Sequence, residues 1–396
     1  MEATDIFADT GEVRIGVLRS RRLGVFVLAS SLAVAGTRDS SRPQRPAPPD
    51  AFSILALGDT GRPPHWLAAS SGQLAVARGI EAVDRRRPID ALVLLGDNFY
   101  YQGLTEPDLL DRIRGNLVDP YCRFLALTAL RSTEVEGACP VPASERRPVP
   151  VLAVLGNHDI KSEQSARLQA EEIPNFIANW RLPSALAETV ELAPGVSLIL
   201  FDSNRLIAQG DPAPLRDAIR RAKGPWRVLV AHHPIGTSQD DGYSLASGFG
   251  DYGELVRRAV AEAGVPVPLM LAAHEHNLQL LELPLPGPAL EAVAGGGARA
   301  FPVASSSEAR RFAMASLGFA RVDFPERPSE RAVVSLFATS KARALLRLPP
   351  ERVARWSVDL SGDVRDEGVA EKRAQQRRAG ARGRGSLDRR QTWSMR

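Results

Sequence analysis

Six short apolar runs recur along residues 52–272, and amphipathic stretches separate several of them. Short continuous apolar strands that alternate with helices predict an α/β fold whose sheets are buried on both faces. Three later runs, 278–283, 314–324 and 332–337, have few helices between them and predict an antiparallel second half of the core. The six runs are 52–57, 91–95, 149–155, 196–201, 226–230 and 267–272, and the amphipathic stretches include 73–85, 214–223 and 252–263.

Residues that commonly bind metal ions follow five of the six runs, at the point where each predicted strand ends. Five of the six histidines of the chain lie at these positions, and the sixth, His65, receives no role. Because the carboxyl ends of parallel strands meet at one edge of an α/β sheet, we expect these side chains to lie close together. The five blocks are Gly58-Asp59-Thr60-Gly61, Gly96-Asp97-Asn98-Phe99-Tyr100, Gly156-Asn157-His158-Asp159, His232-His233-Pro234 and His274-Glu275-His276.

The donor types in these blocks predict a centre that holds two metal ions. Carboxylate, amide, phenol and imidazole groups suit iron, zinc or manganese, and no thiolate takes part. Seven such donors are too many for one ion, whereas two ions that share a carboxylate can activate water for attack at phosphorus. The seven residues are Asp59, Asp97, Tyr100, Asn157, His232, His274 and His276.

The five blocks, in this order over residues 58–276, resemble the signature of the calcineurin-like metallophosphoesterases. Tyr100, three residues after Asp97, resembles the purple acid phosphatases in particular, the tartrate-resistant acid phosphatase type among them. The resemblance implies an α/β fold, a four-layer α/β/β/α metallophosphoesterase sandwich in which two mixed sheets pack face to face with helices outside. It also implies that residues 51–348 form the catalytic domain of a metal-dependent phosphoric ester hydrolase.

The same resemblance divides the seven ligands between two metal ions. The first ion would be Fe(III), for which the Tyr100 phenolate is a hard anionic donor, and the second would be Fe(II), zinc or manganese. A hydroxide that bridges the two ions would attack the phosphorus of a phosphomonoester in line, as in an acid phosphatase. The implied ligand sets are Asp59, Tyr100 and His276 for the first ion, Asn157, His232 and His274 for the second, and Asp97 as the bridge.

His158 is expected to be catalytic together with Asp97, because the resemblance implies that it protonates the leaving oxygen or binds phosphate. The alternative is that His158 only orients a ligand, with Asp159 as its partner. The residues expected to face the substrate are Asn98, His233 and Asp241.

Two positions depart from the family pattern. Ala273 stands where a glycine usually precedes the last His-x-His block, and its methyl group could shift the histidine pair. Asp241 stands nine positions after His232, where animal purple acid phosphatases carry a histidine that contacts substrate.

Asp202, at the end of the fourth run, is expected to be structural, and the three glycines 295–297 are expected to form a closely packed turn near the site.

Both ends of the chain differ in composition from the predicted catalytic domain. Residues 1–36 form a predicted signal or targeting segment, because a basic stretch, 19–22, precedes an uncharged apolar stretch, 23–36. Residues 37–50 are rich in Pro, Ser and Arg and predict a linker. Residues 349–396 are predicted to form a basic, disordered tail.

The signal segment predicts export, periplasmic or secreted, and the protein would be cytoplasmic if this segment is not a signal. In an exported protein Cys122 and Cys139 could form a disulfide, although two free thiols fit their spacing as well.

The chain has a net charge of +4, but nine Lys/Arg against one acid in 372–396 give that segment about +8 and leave residues 1–371 at about −4. No apolar run reaches the roughly 20 residues that a membrane-spanning helix needs.

The expected substrate is a phosphorylated small molecule or a phosphoprotein, and the oligomeric state is left open. A phosphodiesterase or nucleotidase that uses the same metals is the nearest alternative, since a diester carries one charge fewer and Asp241 would repel it less. A non-catalytic binding protein that retains the fold is the alternative of another class. Nucleic-acid contact through the basic tail is a further and weaker hypothesis.

Overall fold

The computed structural model describes residues 52–62, 71–236, 251–303 and 311–368. The predicted signal segment, the linker, the tail beyond residue 368, His65 and Asp241 lie outside these described residues. Among the helices that the structure describes, none is both long enough and apolar enough to cross a membrane.

The described residues contain fifteen strands and nine short or medium-length α-helices, together with four 3₁₀-helical and two π-helical segments. The strands are β1 Phe52–Leu57, β2 Ala91–Leu94, β3 Val151–Ala153, β4 Trp180–Arg181, β5 Ala187–Ala193, β6 Val196–Phe201, β7 Trp226–Val230, β8 Leu269–Ala272, β9 Leu278–Glu282, β10 Leu290–Ala294, β11 Arg311–Met314, β12 Leu317–Phe324, β13 Ala332–Thr339, β14 Glu351–Val358 and β15 Val364–Asp366. The helices are α1 Gly72–Arg86, α2 Leu109–Arg112, α3 Asp119–Tyr121, α4 Ser132–Val135, α5 Ser165–Arg167, α6 Ser203–Gln209, α7 Ala213–Arg221, α8 Tyr252–Ala263 and α9 Lys341–Leu345.

The strands form two mixed sheets. The first has eight strands in the order β15-β14-β13-β12-β1-β2-β3-β4, and the second has seven in the order β11-β9-β10-β8-β7-β6-β5. Strands β1 to β4 run parallel, and so do β6, β7, β8 and β10, while their neighbours on the outer flanks pair antiparallel. The antiparallel arrangement predicted for the later runs is therefore confirmed, because β9, β12 and β13 pair antiparallel.

Side chains alternate between the two faces of each strand, and this alternation divides the core into three layers. On β1, Ile54 and Ala56 face a cluster shared with β6, β7 and β8, whereas Leu55 and Leu57 pack beneath α1. The outer face of the second sheet is covered in the same way by α6, α7 and α8. Because successive side chains of a strand point to opposite faces, strands that are apolar throughout fit between two covered faces. The predicted four-layer α/β/β/α sandwich is confirmed.

Helix ends are fixed by local hydrogen bonds that follow from the sequence. Ser71 caps α1, since its side chain accepts a hydrogen bond of 3.2 Å from the amide of Leu74. Asp202 caps α6 in the same way, because one carboxylate oxygen accepts from the amides of Asn204 and Arg205 at 3.0 and 3.2 Å. The structure thus gives Asp202 a structural contact of the kind that the sequence predicts.

The predicted end of the catalytic domain at residue 348 is wrong. Strands β14 and β15 follow this position and extend the first sheet beyond β13. Trp356 pairs with Val334 and is buried in the core between the sheets, together with Val358. The error arose because Glu351, Arg352 and Arg355 lie on β14, and a strand that carries several charged residues shows only a weak apolar pattern.

The structure contains a disulfide between Cys122 and Cys139, whose Cα atoms are 5.6 Å apart. The bond closes a loop with a sequence separation of 17 residues beside the layer that packs under α1. In the chain-entropy description, closing a loop of this length stabilises the folded state by about 3 kcal/mol.

Replacing Trp356 with alanine should lower the free energy of unfolding by about 3 kcal/mol, because a large side chain leaves the inter-sheet core. Urea unfolding followed by circular dichroism measures this change. Replacing Glu351, which is exposed on the same strand, with alanine should change the free energy of unfolding by less than about 0.5 kcal/mol. Equal effects of the two substitutions would show that β14 is not part of the cooperative core.

Candidate metal centre

The turns that follow β1, β2 and β8 hold their first polar residues in an unusual backbone conformation. Asp59, Asp97 and His274 have φ values of 59°, 53° and 66°, and they are three of the four described non-glycine residues with positive φ. The left-handed region costs a non-glycine residue on the order of 1 kcal/mol, and such strain is common at functional sites. Each turn thereby directs a side chain sharply out of its strand end.

One half of the site joins the turns after β1, β2 and β8. The phenol oxygen of Tyr100 lies 2.8 Å from Asp59 Oδ1 and 3.1 Å from His276 Nε2. His276 Nε2 lies 3.5 Å from the same Asp59 oxygen. The three residues predicted to hold the first metal ion therefore point their donor atoms at one another.

The other half of the site joins the turns after β3, β7 and β8. Asn157 Oδ1 lies 3.1 Å from both His232 Nε2 and His274 Nδ1. The two ring nitrogens are themselves 3.2 Å apart. The three residues predicted to hold the second metal ion also form one cluster.

Asp97 lies between the two halves. Its Oδ1 is 3.6 Å from His232 Nε2 and accepts a 2.9 Å hydrogen bond from the backbone amide of His158. Donor atoms of Asp59, Asp97 and His232 all lie within 4.8 Å of one another. This position is the one that a carboxylate shared by two ions requires.

The electrostatics of the centre favour a cation. Burial and the charge of Asp97 raise the pKa of Asp59, and burial together with both carboxylates raises the pKa of the Tyr100 phenol. Burial also lowers the pKa of His274 to about 3 and that of His276 to about 4, so both imidazoles are neutral near pH 7. Neutral imidazole is the form that binds metal ions.

Asp59 gives a direct test of whether a metal ion fits. Its Oδ2 is buried and has no hydrogen-bond partner among the described residues. A Cβ atom added to Gly295 would lie 2.6 Å from this oxygen, so the predicted glycine turn lets the backbone approach the carboxylate closely. A buried carboxylate oxygen without a partner, among nitrogen and oxygen donors, fits a cation site.

Sequence reasoning missed the support that Asp159 gives to the site. Its two carboxylate oxygens accept hydrogen bonds from the amides of Asn98, Phe99 and Gly156 at 2.9–3.0 Å and from the Gln169 side chain at 3.1 Å. These contacts tie the turn after β2 to the turn after β3. The alternative in which Asp159 is the partner of His158 is not what the structure shows. The signal available in the sequence was the place of Asp159 directly after Asn157 and His158.

The expected substrate contacts lie in different environments. The Asn98 amide is buried and donates to the carbonyl of Val154 at 2.9 Å and to Gln169 at 3.1 Å, which does not support the predicted substrate contact. His233 is also buried; its Nδ1 lies 2.8 Å from Ser203 Oγ, and its ring packs 4.7 Å from that of His274. The prediction for Asp241 falls outside the described residues.

His158 lies at the side of the centre and is partly exposed. Its Nδ1 lies 2.7 Å from the carbonyl oxygen of Tyr101, and its ring is 4.3 Å from that of Tyr100. A ring nitrogen that faces a carbonyl carries the proton, so this contact leaves Nε2 as the nitrogen available to a substrate.

The methyl group of Ala273 is accommodated by a glycine on the neighbouring turn. A Cβ atom added to Gly58 would lie only 2.4 Å from the Ala273 Cβ, so the space that a side chain would fill at Gly58 belongs to Ala273. His274 still reaches Asn157. The departure at Ala273 therefore leaves the histidine block in position.

Comparisons with known proteins identify a relative in sequence and several in fold. Tartrate-resistant acid phosphatase type 5 of Sus scrofa is 25% identical over 282 residues, which cover 65% of this chain and 74% of that protein. Purple acid phosphatase PPD1 from yellow lupin seeds has a similar fold, with a TM-score of 0.51 at 12% identity over 78% of this chain and 54% of that one.

A further solved structure, GAP50, the anchor in the inner membrane complex of Plasmodium, matches with a TM-score of 0.50 at 15% identity over 75% of this chain and 93% of that one. At these identities the solved structures support the fold alone. The family model for calcineurin-like phosphoesterase matches residues 52–278, which include every residue of the two ligand clusters. This chain is therefore a member of the calcineurin-like phosphoesterase family.

Proposed function

We propose that this chain is a dinuclear-metal hydrolase that cleaves phosphomonoesters, as an acid phosphatase does. The observation that carries the proposal is the pair of ligand clusters on either side of Asp97, with a phenol, Tyr100, in one of them. The similarity to a tartrate-resistant acid phosphatase supports the monoester as the substrate class.

The two clusters would hold different ions. Asp59, Tyr100 and His276 offer one neutral nitrogen and two oxygen donors that can carry negative charge, a set that suits Fe(III). Asn157, His232 and His274 offer neutral donors that suit Fe(II), zinc or manganese. Two such cations supply Lewis-acid stabilisation of the phosphoryl oxygens and make water a stronger nucleophile.

The chain's own residues would bind the ions and move one proton. Buried imidazoles and carboxylates keep the donors oriented, so no reorganisation is needed as charge develops on the phosphoryl group. His158, held through Nδ1 by the Tyr101 carbonyl, would in its doubly protonated form deliver the proton of Nε2 to the leaving oxygen.

Export is part of the proposal. The Cys122–Cys139 disulfide supports it, because such bonds persist mainly outside the reducing cytoplasm. Cell fractionation of the producing organism, followed by N-terminal sequencing, tests it. Recovery of the uncleaved chain from the cytoplasm alone would contradict export.

The native chain, loaded with metal, should hydrolyse para-nitrophenyl phosphate between pH 4 and 9, and the Asp97→Asn variant should lose at least about 100-fold in kcat. The loss is expected because a neutral amide cannot hold two cations together. Turnover of bis-para-nitrophenyl phosphate in place of the monoester would favour a phosphodiesterase. Retained metals without turnover of either compound would favour a binding protein.

Replacing His158 with asparagine should reduce kcat according to the leaving group. For glycerol phosphate, whose alkoxide needs a proton, the loss should be about 100-fold or more. For para-nitrophenyl phosphate, whose phenolate leaves readily, it should be about tenfold or less. Equal losses on both substrates, with metal content unchanged, would contradict the role of His158 as an acid.

Replacing Tyr100 with phenylalanine should abolish visible absorption of the iron-loaded protein, because that band requires a phenolate on Fe(III). Absorption spectra of native protein and variant, at matched iron content, measure this. A band that persists in the variant would remove Tyr100 from the ligand set.

A further inference from the structure

Three exposed leucines lie close together on α9 and the turn that follows it, residues 341–348, which form the leucine turn. Leu345, Leu346 and Leu348 are exposed by 66%, 68% and 49%. The part of the chain that the structure describes exposes nine large apolar side chains, and the other six are scattered singly along the sequence. Single exposed apolar residues are normal on a protein surface, whereas a group of them indicates an interaction surface.

Hydrogen bonds hold the leucine turn in place. Ser340 caps α9 by accepting from the amide of Arg343 at 3.1 Å, and the Arg343 guanidinium donates to the carbonyl of Pro349 at 2.8 Å. The Leu348 amide donates to the carbonyl of Arg343 at 2.8 Å, which brings the chain back against the last turn of α9. Ala344 is buried, and α9 packs against α1. The leucines are therefore presented on an anchored support.

Arg347 occupies a backbone conformation that favours glycine. Its φ is 55°, and the other three described non-glycine residues with positive φ belong to the metal centre. Helices commonly end with a glycine in this conformation, because every other side chain is disfavoured there. The chain thus keeps a positive charge between Leu346 and Leu348 where glycine would fit the backbone better, and such strain is common at functional sites.

The charge of the leucine turn is positive. Lys341 and Arg347 are exposed, and residues 340–350 contain no acidic residue. The nearest acid in the sequence is Glu351, whose carboxylate lies 3.8 Å from the Arg343 guanidinium. Leucines bordered by cations match the interface of an anionic bilayer, because acyl chains take up the leucines and headgroup phosphates attract the cations.

The leucine turn connects β13 to β14 at the edge of the first sheet that carries the metal centre. Thr339 pairs with Leu317 at this edge, and the Gly318 amide donates to the carbonyl of Gly296 at 3.0 Å. Gly296 belongs to the three-glycine turn that packs against Asp59. A surface that contacts the leucines therefore meets the domain at the edge of the metal centre.

We propose that the leucine turn binds the surface of an anionic lipid bilayer. Leu345, Leu346 and Leu348 insert beneath the headgroups, and Lys341 and Arg347 contact the headgroup phosphates. A second copy of this chain fits the surface less well, because a symmetric dimer would place the same cations against each other. Attachment requires neither bound metal nor phosphatase activity, so the proposal does not rest on the proposed function.

Co-sedimentation of the full chain with lipid vesicles tests the proposal. The native chain should bind vesicles of phosphatidylglycerol mixed with phosphatidylcholine at least about tenfold more tightly than vesicles of phosphatidylcholine alone. Leu346→Ser should weaken binding to the mixed vesicles about tenfold, because an apolar side chain no longer inserts. Leu130→Ser is the matched control, since Leu130 is exposed by 81% outside the leucine turn, and it should leave binding unchanged.

Arg347→Gly separates the contribution of charge from that of folding. Glycine adopts the φ of 55° without strain, so the variant should unfold at a urea concentration no lower than the native chain does. Its affinity for the mixed vesicles should fall about fivefold, because one headgroup contact is lost. Unchanged affinity in this variant would overturn the proposed role of Arg347.

Three results would overturn the proposal as a whole. Binding that Leu346→Ser leaves unchanged would assign attachment to another segment, such as the basic residues 372–396. Equal binding to both kinds of vesicle would remove the requirement for anionic lipid. A dimer in sedimentation velocity that Leu346→Ser dissociates, without binding to either vesicle, would assign the leucine turn to a second copy of the chain.

Discussion

Two carboxylates, Asp59 and Asp97, are buried side by side at the ends of neighbouring parallel strands. Placing two negative charges in the interior is costly, and the raised pKa of Asp59 records burial first and repulsion by Asp97 second. Backbone strain at both residues adds to the cost. Cations held between the two carboxylates would compensate their negative charge, and the other ligands and the glycine turn lie around this pair.

The fold provides the geometry that this pair needs. Five of the parallel strands, β1, β2, β3, β7 and β8, are each followed by a turn that carries one or two of the donors. Hydrogen bonds from three backbone amides to Asp159 keep two of these turns in register without adding a ligand. The close fit of Ala273 against Gly58 shows that neighbouring turns are packed together as well. The centre is therefore assembled by backbone positions as much as by side chains.

Much of the fold and of the ligand set is predictable from the sequence, because both depend on local patterns. Apolar runs predict the strands, and residues such as Asp97 and His274 directly follow them. Strand β14 escaped prediction because its polar face hides the pattern that buries Trp356. The buried position of Asn98 depends on its contacts with Val154 and Gln169, which are distant in sequence, so no local pattern encodes it.

The most direct test of a two-metal centre is to count the bound ions. Native mass spectrometry of the full chain, reconstituted with iron and zinc and then freed of excess metal, reports the mass of each bound ion. We expect two ions for each native chain, since seven donors surround two adjacent positions on either side of Asp97. A chain that retains one ion, or none, with all seven donors intact would contradict the account.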